Sequence, residues 1–234
     1  GWPSIFLIMS LLGLLLLLLV FRDLGETKII KKNKNTKSSA SFINLFWEAK
    51  FWGYSFTLAF SAGTFFSFLG GAPYVATKVY NLNSVVSGLV MGFPAAGYFI
   101  GNYLSGRYSK FYGIDYMALR GILLVIFGMF ICLVITVFYR DTPYFFFGLC
   151  SFVGLGNGLI IPNASVGILS VNENLSGTAG GIGNAIMIGT GAILASLTSY
   201  YLENQTSSSC LVFIMLLSGA LSYTSLYIFV LRNK

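Results

Sequence analysis

The residues able to hold a metal, carry a proton or act as a nucleophile are few and scattered. The 234-residue chain has no His and three Cys, Cys132, Cys150 and Cys210. No C-x-x-C or H-E-x-x-H arrangement occurs, so neither a metal centre nor a cofactor site is expected. The three Cys lie in or beside apolar runs and read as small buried hydrophobes. The seven carboxylates are Asp23, Glu26, Glu48, Asp115, Asp141, Glu173 and Glu203, and each falls between apolar runs. Proton relays in membranes use an acid or base at membrane depth, so a coupling group of that kind is expected outside this chain. Nothing assembles a nucleophile with a base, which argues against an enzyme.

The remaining chemistry is that of uncharged polar, aromatic and small residues inside apolar runs. Asn157 and Asn184 need partners in hydrocarbon and are expected to face a protein interior, as hydrogen bonds between helices or as ligand contacts. Thr57, Thr64, Thr190 and Thr198 share that setting. Phe60, Phe65, Phe66 and Phe68 either face lipid or line an apolar pocket; Phe65 and Phe68 are one turn apart. Gly88, Gly92, Gly97 and Gly101 recur near one face of a helix that Pro94 interrupts, and Gly177, Gly180, Gly181, Gly183, Gly189 and Gly191 form a second run. Such glycines permit close helix packing and, beyond that, rocking of helices against one another. Gly70, Gly71, Ala72 and Pro73 are expected to close one helix. Gly154, Gly156 and Gly158 with Pro162 and Asn163 are expected to loosen another beside a cavity.

These residues must be positioned by membrane helices. Hydrophobic residues make up 56% of the chain and charged residues 9%, against about 25% charged in soluble domains. A spanning helix takes about 20 apolar residues, and the sequence predicts seven, with cores at 4–21, 50–70, 84–104, 120–139, 144–163, 179–201 and 210–231. With alternating crossings, twelve of the fourteen Lys and Arg fall on one side, leaving only Lys78 and Arg140 on the other. The positive-inside rule makes the rich side cytoplasmic, so the C-terminus is expected inside. That distribution also explains the net charge of +7 without nucleic acid.

Residues 22–49 hold six of the fourteen Lys and Arg, and Lys50 follows at once; they read as a basic cytoplasmic linker, with attraction to anionic lipid as the functional alternative. It separates a first helix, 1–21, from six further helices within 50–234. The first run has no cationic residues before it and no small-residue cleavage site, so a spanning helix is favoured over a secretory signal. Six helices suit two three-helix repeats of inverted topology. Because the chain opens on Gly1, an upstream part is expected.

The turn after the third helix adds a motif: Gly101, Gly106, Arg107, Lys110 and Gly113, followed by Arg120 and Gly121. It resembles the second copy of the loop motif of the major facilitator superfamily, G-x-L-x-D-R-x-G-R/K, with Gly106 where the aspartate would stand. Gly70 to Val75 followed by Val79, Tyr80, Asn81, Leu82 and Asn83 is similar to the seventh-helix end of the Bcr/CflA drug-resistance transporters. Gly154 to Ala164, followed by Gly177 to Gly180, resembles their tenth and eleventh helices, and Gly1 to Phe6 before the Leu run resembles the start of their sixth.

The resemblance implies an all-α membrane protein that supplies helices six to twelve of a major facilitator fold. Its seven helices would be one from the N-terminal bundle plus the six-helix C-terminal bundle. It implies proton-coupled antiport of small amphipathic drugs across the bacterial inner membrane, with protons, membrane lipid and the missing N-terminal helical bundle as partners. The candidate cavity residues are Phe65, Phe68, Met91, Asn157, Asn184 and Met187. A facilitator for a metabolite, which would show a more polar cavity, and a seven-helix receptor, for which an outer Cys pair is missing, are the alternatives.

Overall fold

The computed structural model describes residues 3–23, 44–139, 142–203 and 207–232. Residues 28–41 of the basic linker, together with Arg140 and Asp141, lie outside the described residues. Among those described, seven helices are long and apolar enough to cross a membrane.

The chain divides into two compact units, Gly1–Lys37 and Ser38–Lys234. The first contains α1 (Pro3–Asp23), a Leu-rich helix that is apolar all round. Such a helix is suited to lipid or to a protein core, not to water.

The second unit begins with α2 (Ala49–Tyr74), which widens into a π turn at Val75–Val79. There follow α3 (Ser84–Met91), α4 (Phe93–Tyr112), α5 (Ile114–Phe138) and α6 (Pro143–Ser170). A 3₁₀ turn at Glu173–Leu175 leads into α7 (Ser176–Leu202), and α8 (Ser209–Leu226) ends in a second π turn, Tyr227–Leu231. Helices α3 and α4 form one span, Ser84–Tyr112, broken at Gly92. Pro94 explains the break, because it has no N–H for the carbonyl one turn back and its ring crowds that carbonyl.

Two helices act as hubs. Helix α2 packs on α6, α7 and α8, while α6 also packs on α4 and α5. Both are rich in small residues, so neighbouring backbones approach closely. The clearest case is α4 against α6: a Cβ on Gly154 would run into the carbonyl of Pro94, and one on Gly101 into that of Leu155. On the other hub, a Cβ on Gly70 would lie 2.7 Å from the Ala195 carbonyl oxygen of α7.

Several local expectations are corrected. Gly70–Pro73 does not close a helix, since α2 runs on through Pro73. Helix continuity there is carried by packing: Gly70 and Gly71 admit α7 and α8, and the Ser199 hydroxyl donates to the Gly70 carbonyl at 3.1 Å. Gly154–Asn163 is likewise continuous helix, its glycines serving contact instead of loosening the backbone. The motif from Gly101 to Gly113 is not a turn but the last three turns of α4. Only Gly113, at φ 85°, leaves the helix. Of the early glycine run, Gly97 and Gly101 face α6, but a Cβ on Gly88 would meet nothing within 4 Å.

Candidate functional site

A cavity of about 370 Å³ opens where α2, α4, α6 and α7 converge. Helix α2 contributes Ala62, Phe65 and Phe66; α4 contributes Ala95 and Tyr98; α6 contributes Gly154, Asn157 and Ile161; and α7 contributes Met187. The sets from α2, α4 and α6 repeat at one-face helical spacing. None of the nine lining residues carries a formal charge. Three aromatic rings, a thioether and aliphatic carbons supply most of the wall, and the Tyr98 hydroxyl and Asn157 amide supply its side-chain polarity.

Asn157 is held by a small buried network. The Ser61 hydroxyl donates to Asn157 Oδ1 at 2.5 Å, and Asn157 Nδ2 donates to Thr64 Oγ1 at 3.4 Å. The Thr64 hydroxyl in turn donates to the Ser61 carbonyl at 2.6 Å. All three side chains are almost wholly buried. The amide therefore ties α2 to α6 and is fixed in orientation where it meets the cavity. Phe66 is fixed differently: its ring occupies the space that a Cβ on Gly191 would need, so the glycine of α7 sets where the ring stands.

Of the six expected cavity residues, the structure brings together Phe65, Asn157 and Met187. Phe68 is fully buried instead, its ring edge-to-face with Phe147 at 6.2 Å, and belongs to the core. Met91 packs against that core from the end of α3. Asn184 is exposed, contrary to expectation. The stripe of α7 that packs inward carries Ala179, Gly183, Gly191, Thr198 and Leu202, and Asn184, one residue past Gly183, is rotated about 100° away. Residue type alone missed Tyr98, Ala62 and Ile161, and left Phe66 open between lipid and a pocket. Their signal was spacing, because Ala62, Phe65 and Phe66 stand at i, i+3, i+4, and Gly154, Asn157 and Ile161 at i, i+3, i+7.

The motif cations sit at the basic end of α4 and α5. Arg107 Nη1 donates to the Tyr103 hydroxyl at 3.2 Å and lies 5.8 Å from the Tyr108 ring centre. Arg120 stands 4.9 Å over the Tyr116 ring. Aromatic faces, not carboxylates, receive these guanidinium groups. A larger hollow of about 590 Å³ is walled by α5 alone, from Arg120 to Phe130, so no second helix brings groups together there.

Residues 1–196 match the sequence profile of the Major Facilitator Superfamily. The chain belongs to that family. Seven apolar helices in this superfamily make a multi-pass membrane protein. Three curated relatives bear on the finer reading. A bicyclomycin resistance protein homolog of Haemophilus influenzae is 29% identical over 85% of this chain and 50% of its own length. An uncharacterized transporter of Rickettsia felis is 24% identical over 97% of this chain and 59% of its own length. The uncharacterized MFS-type transporter YdgK of Bacillus subtilis is 26% identical over 46% of this chain and 28% of its own length. Thus the chain spans at most about three fifths of each relative it matches. All three are named as transporters or by resistance, which favours transport over an enzymatic role.

Proposed function

We propose that this chain forms part of an exporter of small amphipathic drugs, and that the α2–α4–α6–α7 cavity is its half of the substrate site. The observation that carries this reading is the lining itself: no formal charge, three rings, one thioether and one oriented amide. Such a wall binds by apolar contact and tolerates varied shapes, whereas a metabolite facilitator would need several converging polar groups. The resistance named for the Haemophilus influenzae relative supports the same direction.

In this proposal the six helices of the second unit are the C-terminal bundle, α1 belongs to the N-terminal bundle, and the two bundles alternate access by rocking. In this reading the C-terminus is cytoplasmic, as the Lys and Arg distribution supports, and the membrane is the bacterial inner membrane. Proton influx drives export, with its titrating carboxylate supplied by the N-terminal bundle, since no acid lines the cavity.

The test is energised efflux of a fluorescent lipophilic drug from cells expressing the full-length protein, with and without a protonophore. Protonophore-sensitive efflux that is lost in an Ala95→Trp variant, which fills the cavity, is the expected result. Efflux indistinguishable between expressing and non-expressing cells for every amphipathic compound tried would sink the proposal.

A further inference from the structure

A second, smaller hollow lies at the basic end of the bundle, between α4, the start of α5 and α6. It measures about 390 Å³ and is lined by Asn102, Ser105, Gly106, Ser109, Lys110, Ile114, Pro162, Asn163 and Val166. Its hydrogen bonding is directional. Asn163, 3% exposed, spends its two amide protons on Ser105 Oγ at 2.8 Å and the Leu159 carbonyl at 2.6 Å. Its amide oxygen is left as an acceptor. Ser105 Oγ, already accepting that proton, lies 3.2 Å from Ser109 Oγ. If Ser105 passes its own proton along this pair, the Ser109 proton is free to donate onward. Lys110 is exposed, and among the described residues no hydrogen bond or ion pair holds its ammonium.

The surroundings fix the depth of this hollow. Tyr103, Tyr108, Phe111, Tyr112 and Tyr116 stand exposed on the same stretch of α4 and α5. Tyr112 and Tyr116 stack at 5.4 Å. Aromatic belts of this kind sit at the level of lipid headgroups. Basic pockets between membrane helices on the cytoplasmic side take anionic headgroups. The apolar wall of Ile114, Pro162 and Val166 continues from the polar end, as an acyl glycerol requires.

We propose that this hollow is a binding site for the glycerophosphate headgroup of an anionic phospholipid. The Lys110 ammonium and Ser109 hydroxyl hold the phosphate, and the Asn163 amide oxygen accepts from a headgroup hydroxyl. The site is independent of the drug cavity, so it stands or falls separately from the export reading.

The experiment is native mass spectrometry of the full-length protein, delipidated and titrated with phosphatidylglycerol, phosphatidylcholine or soluble glycerol 3-phosphate. Phosphatidylglycerol should be retained over phosphatidylcholine. Lys110→Gln should weaken that retention about fivefold, since one surface cation contributes roughly that much to binding an anionic headgroup. Ser109→Ala should weaken it further, and Lys78→Gln, at the opposite end of the bundle, should leave it unchanged. Lys110 is exposed, so its variant keeps the fold and the comparison remains clean. Equal retention of the two lipids, an unaltered Lys110→Gln titration, or equal occupancy by glycerol 3-phosphate would each overturn the proposal, the last by assigning the site to a soluble phosphate.

Discussion

The Tyr54 hydroxyl donates to Asp115 Oδ1 at 2.5 Å, joining the second turn of α2 to the first turn of α5 across 61 positions of sequence. The same Tyr54 ring fills the space beside Gly167 of α6, where a Cβ would come within 2.6 Å of it. One side chain thus fastens three helices at the basic end of the bundle. Tyr54→Phe keeps the ring and removes only the hydrogen bond. Because Asp115 is half-buried, the loss should be near the low end for a bond to a charged group, about 1.5 kcal/mol. Gly167→Ala forces the ring aside and should cost more, about 1–3 kcal/mol. Thermal unfolding in detergent should rank wild type above Tyr54→Phe, and Tyr54→Phe above Gly167→Ala; the reverse order would show that the ring, not its hydroxyl, is dispensable.

Asn157 separates stability from function. Hydrogen bonds between membrane helices average about 0.6 kcal/mol, because the freed groups find other partners; Thr64 already donates within its own helix. Asn157→Ala should therefore shift unfolding only slightly. If the amide meets substrate, transport should fall by much more than that small shift explains, tenfold or beyond. Efflux and unfolding measured on the same preparation check this, and a parallel fall in both would assign Asn157 a purely structural role.

Glycine substitutions should divide sharply by position. At Gly154 and Gly101 a Cβ meets main-chain carbonyls of the partner helix, which cannot rotate away. Gly154→Ala and Gly101→Ala should sharply lower the yield of folded protein. At Gly106 and Gly189 a Cβ meets nothing within 4 Å, so alanine there should be neutral or stabilising, by up to about 1 kcal/mol from helix propensity. Fluorescence-detected size-exclusion profiles of the four variants provide the measurement. Good behaviour of Gly154→Ala would contradict the packing of α4 on α6.

The number and order of helices were legible because runs of uncharged apolar residues have one physical outcome in a bilayer. Helix ends were less so. Gly70, Gly71 and Pro73 break helices in isolation, yet here they are overridden by the backbones they let approach, and nothing local in the sequence says which partner will come. The motif at Gly101–Gly113 was misread as a turn for the same reason. In the cavity, Phe65, Asn157 and Met187 were found by residue type. Phe68 and Asn184 were misplaced because chemistry names a residue without saying which way its helix is turned. Periodicity within α2 and α6 held that information and picks out Ala62, Phe66 and Ile161.

The close seating of α4 on α6, carbonyl against glycine, has a mechanical consequence. Side-chain interfaces absorb displacement by changing rotamers, but a main-chain seam has none to change. This pair therefore behaves as a single stiff jaw, and α2 with α7, seated through Gly70 on Ala195, forms the opposing one. The α2–α4–α6–α7 cavity occupies the gap between the jaws, and the Ser61–Asn157–Thr64 network helps to stitch them together. Widening the gap would then part the jaws as stiff bodies, and the three polar side chains of that network would be among the contacts to break.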